Sequence, residues 1–132
     1  MANGPLSGYS ILILEDEFLI AMDIEQICLD CGALETHIVH QLEQLDDHLV
    51  HDGRFEAAVL DLRIGGQSTI AVAQALAGRN IPFVFATGMG RTEEIASVFP
   101  GVAVVPKPYS GEDLVNSLTQ AIAQRRSSRE SA

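Results

Sequence analysis

Short apolar runs alternate with longer amphipathic stretches along this chain, and the alternation repeats five times. The runs are Ile11–Leu14, Leu34–Val39, Ala57–Leu60, Phe83–Ala86 and Val102–Val105. Each is strand-length, and four are continuously apolar, as strands covered on both faces tend to be. Leu34–Val39 carries Glu35, Thr36 and His37 among its apolar residues and is expected at a sheet edge. Between the runs, apolar periodicity predicts helices near residues 17–31, 42–51, 67–78, 91–98 and 111–125. Gly32, Gly53, Gly78 and Gly101 stand where helices or loops should end. Five βα units in one short chain predict an α/β fold, a doubly wound five-stranded parallel sheet with five helices on its two faces. The expected layout is an N-terminal arm over residues 1–9, one domain over 10–125 and a polar, disordered tail over 126–132.

Composition narrows the class. The chain has 132 residues, 47% of them hydrophobic and 20% charged, which is globular and the size of a single domain with a real core. Eight basic residues stand against 18 acidic ones, a net charge of −10. That balance disfavours nucleic acid and anionic membrane, and suits metal cations or a basic patch on a protein partner. No apolar run is long enough to span a bilayer. The opening MANGPLSGYS lacks the charged segment and apolar stretch of a signal peptide, so a cytoplasmic location is expected. Cys28 and Cys31 form a C-x-x-C pair, and His37 and His40 follow. The cysteines share the apolar face of the first helix with Ile20, Ile24 and Ile27, and lie near its C-terminus, where a redox pair would need the N-terminus. They are read as core cysteines, not as a redox or zinc site.

Ligands of an open parallel sheet bind beyond the carboxyl ends of its strands, so the residue after each apolar run is the one to read. After the first run come Glu15, Asp16 and Glu17; after the third, Asp61; after the fourth, Thr87; after the fifth and Pro106, Lys107 and Pro108. Singly, each has a plain explanation. Asp16 could cap a helix, Asp61 could sit in a turn, Thr87 could cap the next helix and Lys107 could be a solvated loop residue. Jointly they do not, because acids at neighbouring strand ends repel unless a cation lies between them. Hard oxygen ligands suit Mg²⁺. A lysine and a hydroxyl opposite it would clamp negatively charged oxygens, which describes phosphoryl transfer to an aspartate nucleophile.

With these motifs in place, LILEDE (12–17), VLDLRIGG (59–66), FATG (85–88) and PKPYS (106–110), the sequence resembles the receiver domain of two-component response regulators over residues 10 to 125. The resemblance implies the flavodoxin-like strand order 2-1-3-4-5 and a non-enzymatic signalling role. It implies that Asp61 is the phosphoacceptor and that Glu15, Asp16, Asp61 and the backbone carbonyl of Arg63 hold Mg²⁺. By the same resemblance Thr87 binds a phosphoryl oxygen, Lys107 neutralises it, and the Lys107–Pro108 peptide is cis. The stretch PFVFATGMG (82–90) further resembles the PFxFATG signature of FATGUY receivers. These are bacterial single-domain regulators, linked to histidine kinases of the HWE or related type and to stress signalling. The implied partners are such a kinase or a phosphotransfer protein, with signalling through protein contacts or service as a phosphate sink.

Two positions depart from the receiver pattern. Val104 stands where an aromatic switch residue is usual, and Tyr109 does not obviously replace it. Glu15 stands where Asp is commoner. With Gly88 and Gly90 at its start and Pro100 at its end, the segment 88–99 is expected to switch by ordering its helix. Two rivals stand beside this reading. An aspartyl-nucleophile phosphohydrolase of the haloacid-dehalogenase type would need a second Asp where Arg63 stands. A receiver-like interaction module that is never phosphorylated would not need the intact set of acids, Thr and Lys.

Overall fold

In a computed structural model, which describes residues 4–45, 55–88, 93–99, 101–107 and 110–131, the five apolar runs become the strands of one sheet. In chain order the elements are β1 (Ser10–Leu14), α1 (Phe18–Asp30), β2 (Glu35–Val39), a 3-10 turn (Leu42–Gln44), β3 (Ala57–Leu60), β4 (Arg63–Ile64), β5 (Gln67–Ser68), α2 (Ile70–Gly78), β6 (Phe83–Thr87), α3 (Glu93–Val98), β7 (Val104–Pro106) and α4 (Gly111–Ser131). The large sheet is parallel throughout, in the order β2-β1-β3-β6-β7, which is 2-1-3-4-5 when only its own strands are counted. The half-polar run is an edge strand, as its composition predicts.

Alternate residues of each strand enter opposite cores, which is why the central strands had to be apolar at every position. Ile11, Ile13, Ala57, Val59, Val84 and Ala86 pack with Ile24 and Cys28 of α1 and with Leu114, Leu118 and Ile122 of α4. Leu12, Leu14, Ala58, Leu60, Phe83 and Phe85 pack on the other face with Ala73 and Leu76 of α2 and Ile95 of α3. The arm also joins the core. Leu6 is fully buried, its N–H donates to the carbonyl of Cys31 at 3.0 Å, and the Leu34 N–H donates to Tyr9 at 2.8 Å.

Helix boundaries differ from the sequence reading in three places. The described residues hold four α-helices. Of the helix expected over 42–51 they show only the 3-10 turn, while residues 46–54, Gly53 included, lie outside them. The helix expected from residue 67 begins at Ile70, because Gln67 and Ser68 pair back on Arg63 and Ile64. It ends at Gly78 as expected, and Asn80 just beyond takes the left-handed conformation, with φ 62°. The last helix runs on from the expected residue 125 to Ser131, through much of the tail read as disordered. After Gly111 that segment has no Gly or Pro to stop a helix, so polarity alone was a poor stop signal. Among the described residues no helix is long and apolar enough to cross a membrane.

Candidate functional site

Parallel register brings the ends of β1, β3, β6 and β7 to one edge, and the chemistry collects there. The Glu15 N–H donates to Val39 of β2 at 3.1 Å, and the Asp61 N–H donates to Leu14 of β1 at 2.9 Å, so sheet-type bonding continues one residue past the strands. The main chain at both acids is therefore fixed by the sheet. Glu15 is 1% exposed, Asp61 is half-buried and Asp16 is exposed. Each of the three offers an oxygen, and these oxygens lie within 4.8 Å of one another.

Lys107 bridges two of them. Its Nζ donates to Glu15 Oε1 at 2.6 Å and to Asp61 Oδ2 at 3.1 Å. Glu15 Oε2 accepts the Glu17 N–H at 3.1 Å, and Asp16 Oδ2 accepts the Gly65 N–H at 2.9 Å. The His40 ring closes one side, its Nδ1 donating to the Glu15 carbonyl at 3.1 Å. Burial is the largest influence on Glu15 and raises its carboxyl above the usual value. The charge of Asp61 adds to this, and the hydrogen bonds from Lys107 and Glu17 offset it only in part. Burial is also the largest single influence on Lys107 and works against its charge. The hydrogen bonds and charges of Glu15 and Asp61 together outweigh it and raise the ammonium's pKa.

Three acid groups thus converge on one point while the ammonium reaches only two of them, and the donor set is all oxygen. Such a set fits a hard divalent cation such as Mg²⁺, which would relieve the crowding that Lys107 alone leaves. Among the described residues Cys28, Cys31, His37 and His40 form no such set. Cys28 is buried with its thiol pushed up to about 12, and the two histidine rings lie against Phe55 and Phe18. A groove of about 560 Å³ lies at the opposite ends of the strands, around Phe83, Val102 and Arg125, far from the acids.

Thr87 ends β6 opposite Pro106 of β7, is 3% exposed, and its carbonyl accepts the Lys107 N–H at 3.0 Å. It shares the edge with Asp61, since Leu60 is in register with Phe85. Arg63 turns its guanidinium away from the acids, to Glu94 of α3 at 2.9 Å. Val104 is half-buried in register with Phe85. Pro108 and Tyr109, and with them the Lys107–Pro108 peptide, lie outside the described residues, as do residues 89–92.

Sequence reasoning missed the hairpin formed by β4 and β5. Gly65 and Gly66 both have positive φ, 57° and 81°, as a two-residue primed turn requires. A Gly-Gly pair between Arg63–Ile64 and Gln67–Ser68 was a readable signal for it. Thr69 was missed as well. It precedes α2 yet does not cap it; its hydroxyl lies 2.6 Å from the Asp61 carbonyl and 3.0 Å from that of Leu62.

No family model and no curated protein matches the chain. Solved structures do. A response regulator receiver protein from Sinorhizobium medicae superposes with TM-score 0.77 at 24% identity, over 91% of this chain and 98% of that one. A response regulator receiver domain protein from Methanospirillum hungatei gives TM-score 0.76 at 20% identity, over 92% and 99%. The response regulator PhyR from Brucella abortus gives 0.73 at 25% identity over 94% of this chain, which spans 51% of that longer protein. With its sheet order and its acidic cluster at the carboxyl edge, the chain has the fold of response-regulator receiver domains.

Proposed function

We propose that this chain is the receiver module of a two-component phosphorelay, with Asp61 as phosphoacceptor. The observation that carries the reading is the convergence of Glu15, Asp16 and Asp61 with Lys107 on one sheet edge. In the proposed step a carboxylate oxygen of Asp61 attacks the phosphorus of a phosphohistidine. An O–P bond forms and the P–N bond breaks, its electron pair staying on the departing imidazole nitrogen, which takes up a proton. Lys107 offsets charge on Asp61 and then on the transferred oxygens, and the Thr87 hydroxyl donates to one of them. Glu15, Asp16, Asp61 and the Arg63 carbonyl would hold Mg²⁺, which when bound would neutralise phosphoryl charge.

The donor is a protein, a histidine kinase or a phosphotransfer protein. Immediately after the acids, α1 exposes Phe18 (62%), Leu19 (80%) and Met22 (47%), an apolar patch beside the phosphoacceptor that suits a docked donor. The PFVFATG stretch and the likeness to PhyR favour a bacterial, cytoplasmic regulator of the FATGUY type, served by an HWE-type kinase in stress signalling. It acts either by binding a partner once phosphorylated or as a phosphate sink, and is not an enzyme in its own right.

Incubation with acetyl phosphate and Mg²⁺ should add the mass of one phosphoryl group. Asp61→Asn, nearly isosteric but not nucleophilic, should add none while keeping its fold. Labelling of Asp61→Asn at the wild-type rate would remove the assignment.

A further inference from the structure

The segment that follows Asp61 is tied at three places. At its root Thr69 is fully buried, its N–H donating to Leu62 at 2.9 Å and its hydroxyl engaging the Asp61 carbonyl at 2.6 Å. At its tip the Gly65 N–H holds Asp16 Oδ2 at 2.9 Å. In its body, Arg63 and Ser68 face one another across the β4–β5 pair and grip both oxygens of one carboxylate. Arg63 Nη2 donates to Glu94 Oε1 at 2.9 Å, and Ser68 Oγ donates to Oε2 at 2.8 Å. Glu94 belongs to the first turn of α3. One short hairpin therefore touches the backbone of the phosphoacceptor, a carboxylate of the metal site and α3.

α3 needs such ties. Its six residues are far fewer than a helix requires to stand alone in water. Its packing rests on Ile95 and on Phe99 just beyond it, which stacks edge-on against Phe83 at 5.1 Å.

We propose that the β4–β5 hairpin is a latch that couples loading of the acidic site to the order of α3. The inference rests on the receiver reading above. Arg63 is the joint, because its carbonyl is the group assigned to the metal while its side chain holds Glu94. Loading the site draws the Arg63 backbone toward the acids and fixes the hairpin, and Arg63 with Ser68 then fixes Glu94. The route needs no aromatic side chain, and Val104 supplies none. Arg63 and Glu94 are 50% and 35% exposed, so their ion pair is individually weak and the coupling is a matter of a few-fold.

The test is amide hydrogen exchange over residues 93–99 of the full chain, with and without Mg²⁺ and beryllium fluoride as the phosphoryl mimic. Loading should slow exchange roughly 5-fold in the wild type. Glu94→Ala and the volume-keeping Glu94→Gln should lose most of that response. Glu93→Ala, which removes the same charge from the same turn outside the latch, should keep it. A wild-type response in Glu94→Ala, or no response in the wild type, overturns the latch. Acetyl phosphate labelling of the same samples separates the two ideas. Labelling without any response of α3 overturns the latch alone, whereas a wild type that takes no label overturns the receiver reading and the latch with it.

Discussion

Glu15 and Cys28 are both fully buried groups that can ionise, burial raises the pKa of both, and their neighbours differ. Glu15 meets an ammonium and a backbone N–H, which offset part of the cost of burying its charge. Cys28 meets Cys31 and Glu25, which only add to the cost of burial, and its thiol rises from 9.0 to about 12. The folded chain thus keeps a proton that the unfolded chain loses from about pH 9 upward. More protons are bound in the native state across this window, so stability falls as pH rises through it. Between pH 9 and pH 10 the wild type should lose on the order of 1 kcal/mol relative to Cys28→Ala in urea unfolding. A parallel pH dependence of the two proteins would contradict this. In the native state at pH 8, an alkylating reagent should modify Cys31 and spare Cys28 until the chain is denatured. At this scale Cys28 was legible, since its place in the apolar periodicity marked it as core. Thr69 was not. A threonine ahead of a helix reads as a cap, and nothing local says that its hydroxyl turns back to Asp61.

Among the elements, the strands were the legible part. An apolar run bounded by turn residues has few alternatives once five of them alternate with helical patterns. The β4–β5 hairpin shows what two glycines can specify. A Cβ added at Gly65 or Gly66 would meet nothing within 4 Å, so what these positions require is the positive φ and not the space. Gly65→Val should therefore cost about 1–2 kcal/mol in thermal or urea unfolding, from left-handed strain alone. Gly65→Asn should cost much less, since Asn tolerates that conformation and Asn-Gly favours the same turn. Equal losses for the two variants would mean that contact, not conformation, governs the turn. Gly65→Val should also weaken Mg²⁺ binding, because it disturbs the N–H that orients Asp16.

For the whole molecule, charge and topology meet at one edge. The chain carries a net charge of −10, and three of its acids converge where Lys107 bridges two of them, Glu15 and Asp61. Mg²⁺ should then raise the melting temperature beyond the effect of NaCl at equal ionic strength. At ten times the dissociation constant the gain is about 1.4 kcal/mol, a shift of several degrees for a domain of this size. Asp16→Asn should shrink the excess. An identical rise with NaCl would reduce the effect to screening and remove the metal site.

The order of apolar runs determined the α/β class, the edge position of β2 and the set of residues at the carboxyl edge. That follows because the period of two and the burial on both faces are local, written into consecutive side chains. Local pattern also drew attention to Glu15, Asp16, Asp61, Thr87 and Lys107, each standing just past an apolar run or its terminal proline. Only the tertiary structure decided that Lys107 takes Glu15 and Asp61 together, across separations of 92 and 46 residues. It alone decided that Arg63 reaches Glu94. Hydrogen bonds between distant residues depend on how strands are ordered and how far each side chain reaches, and no window along the chain contains both partners.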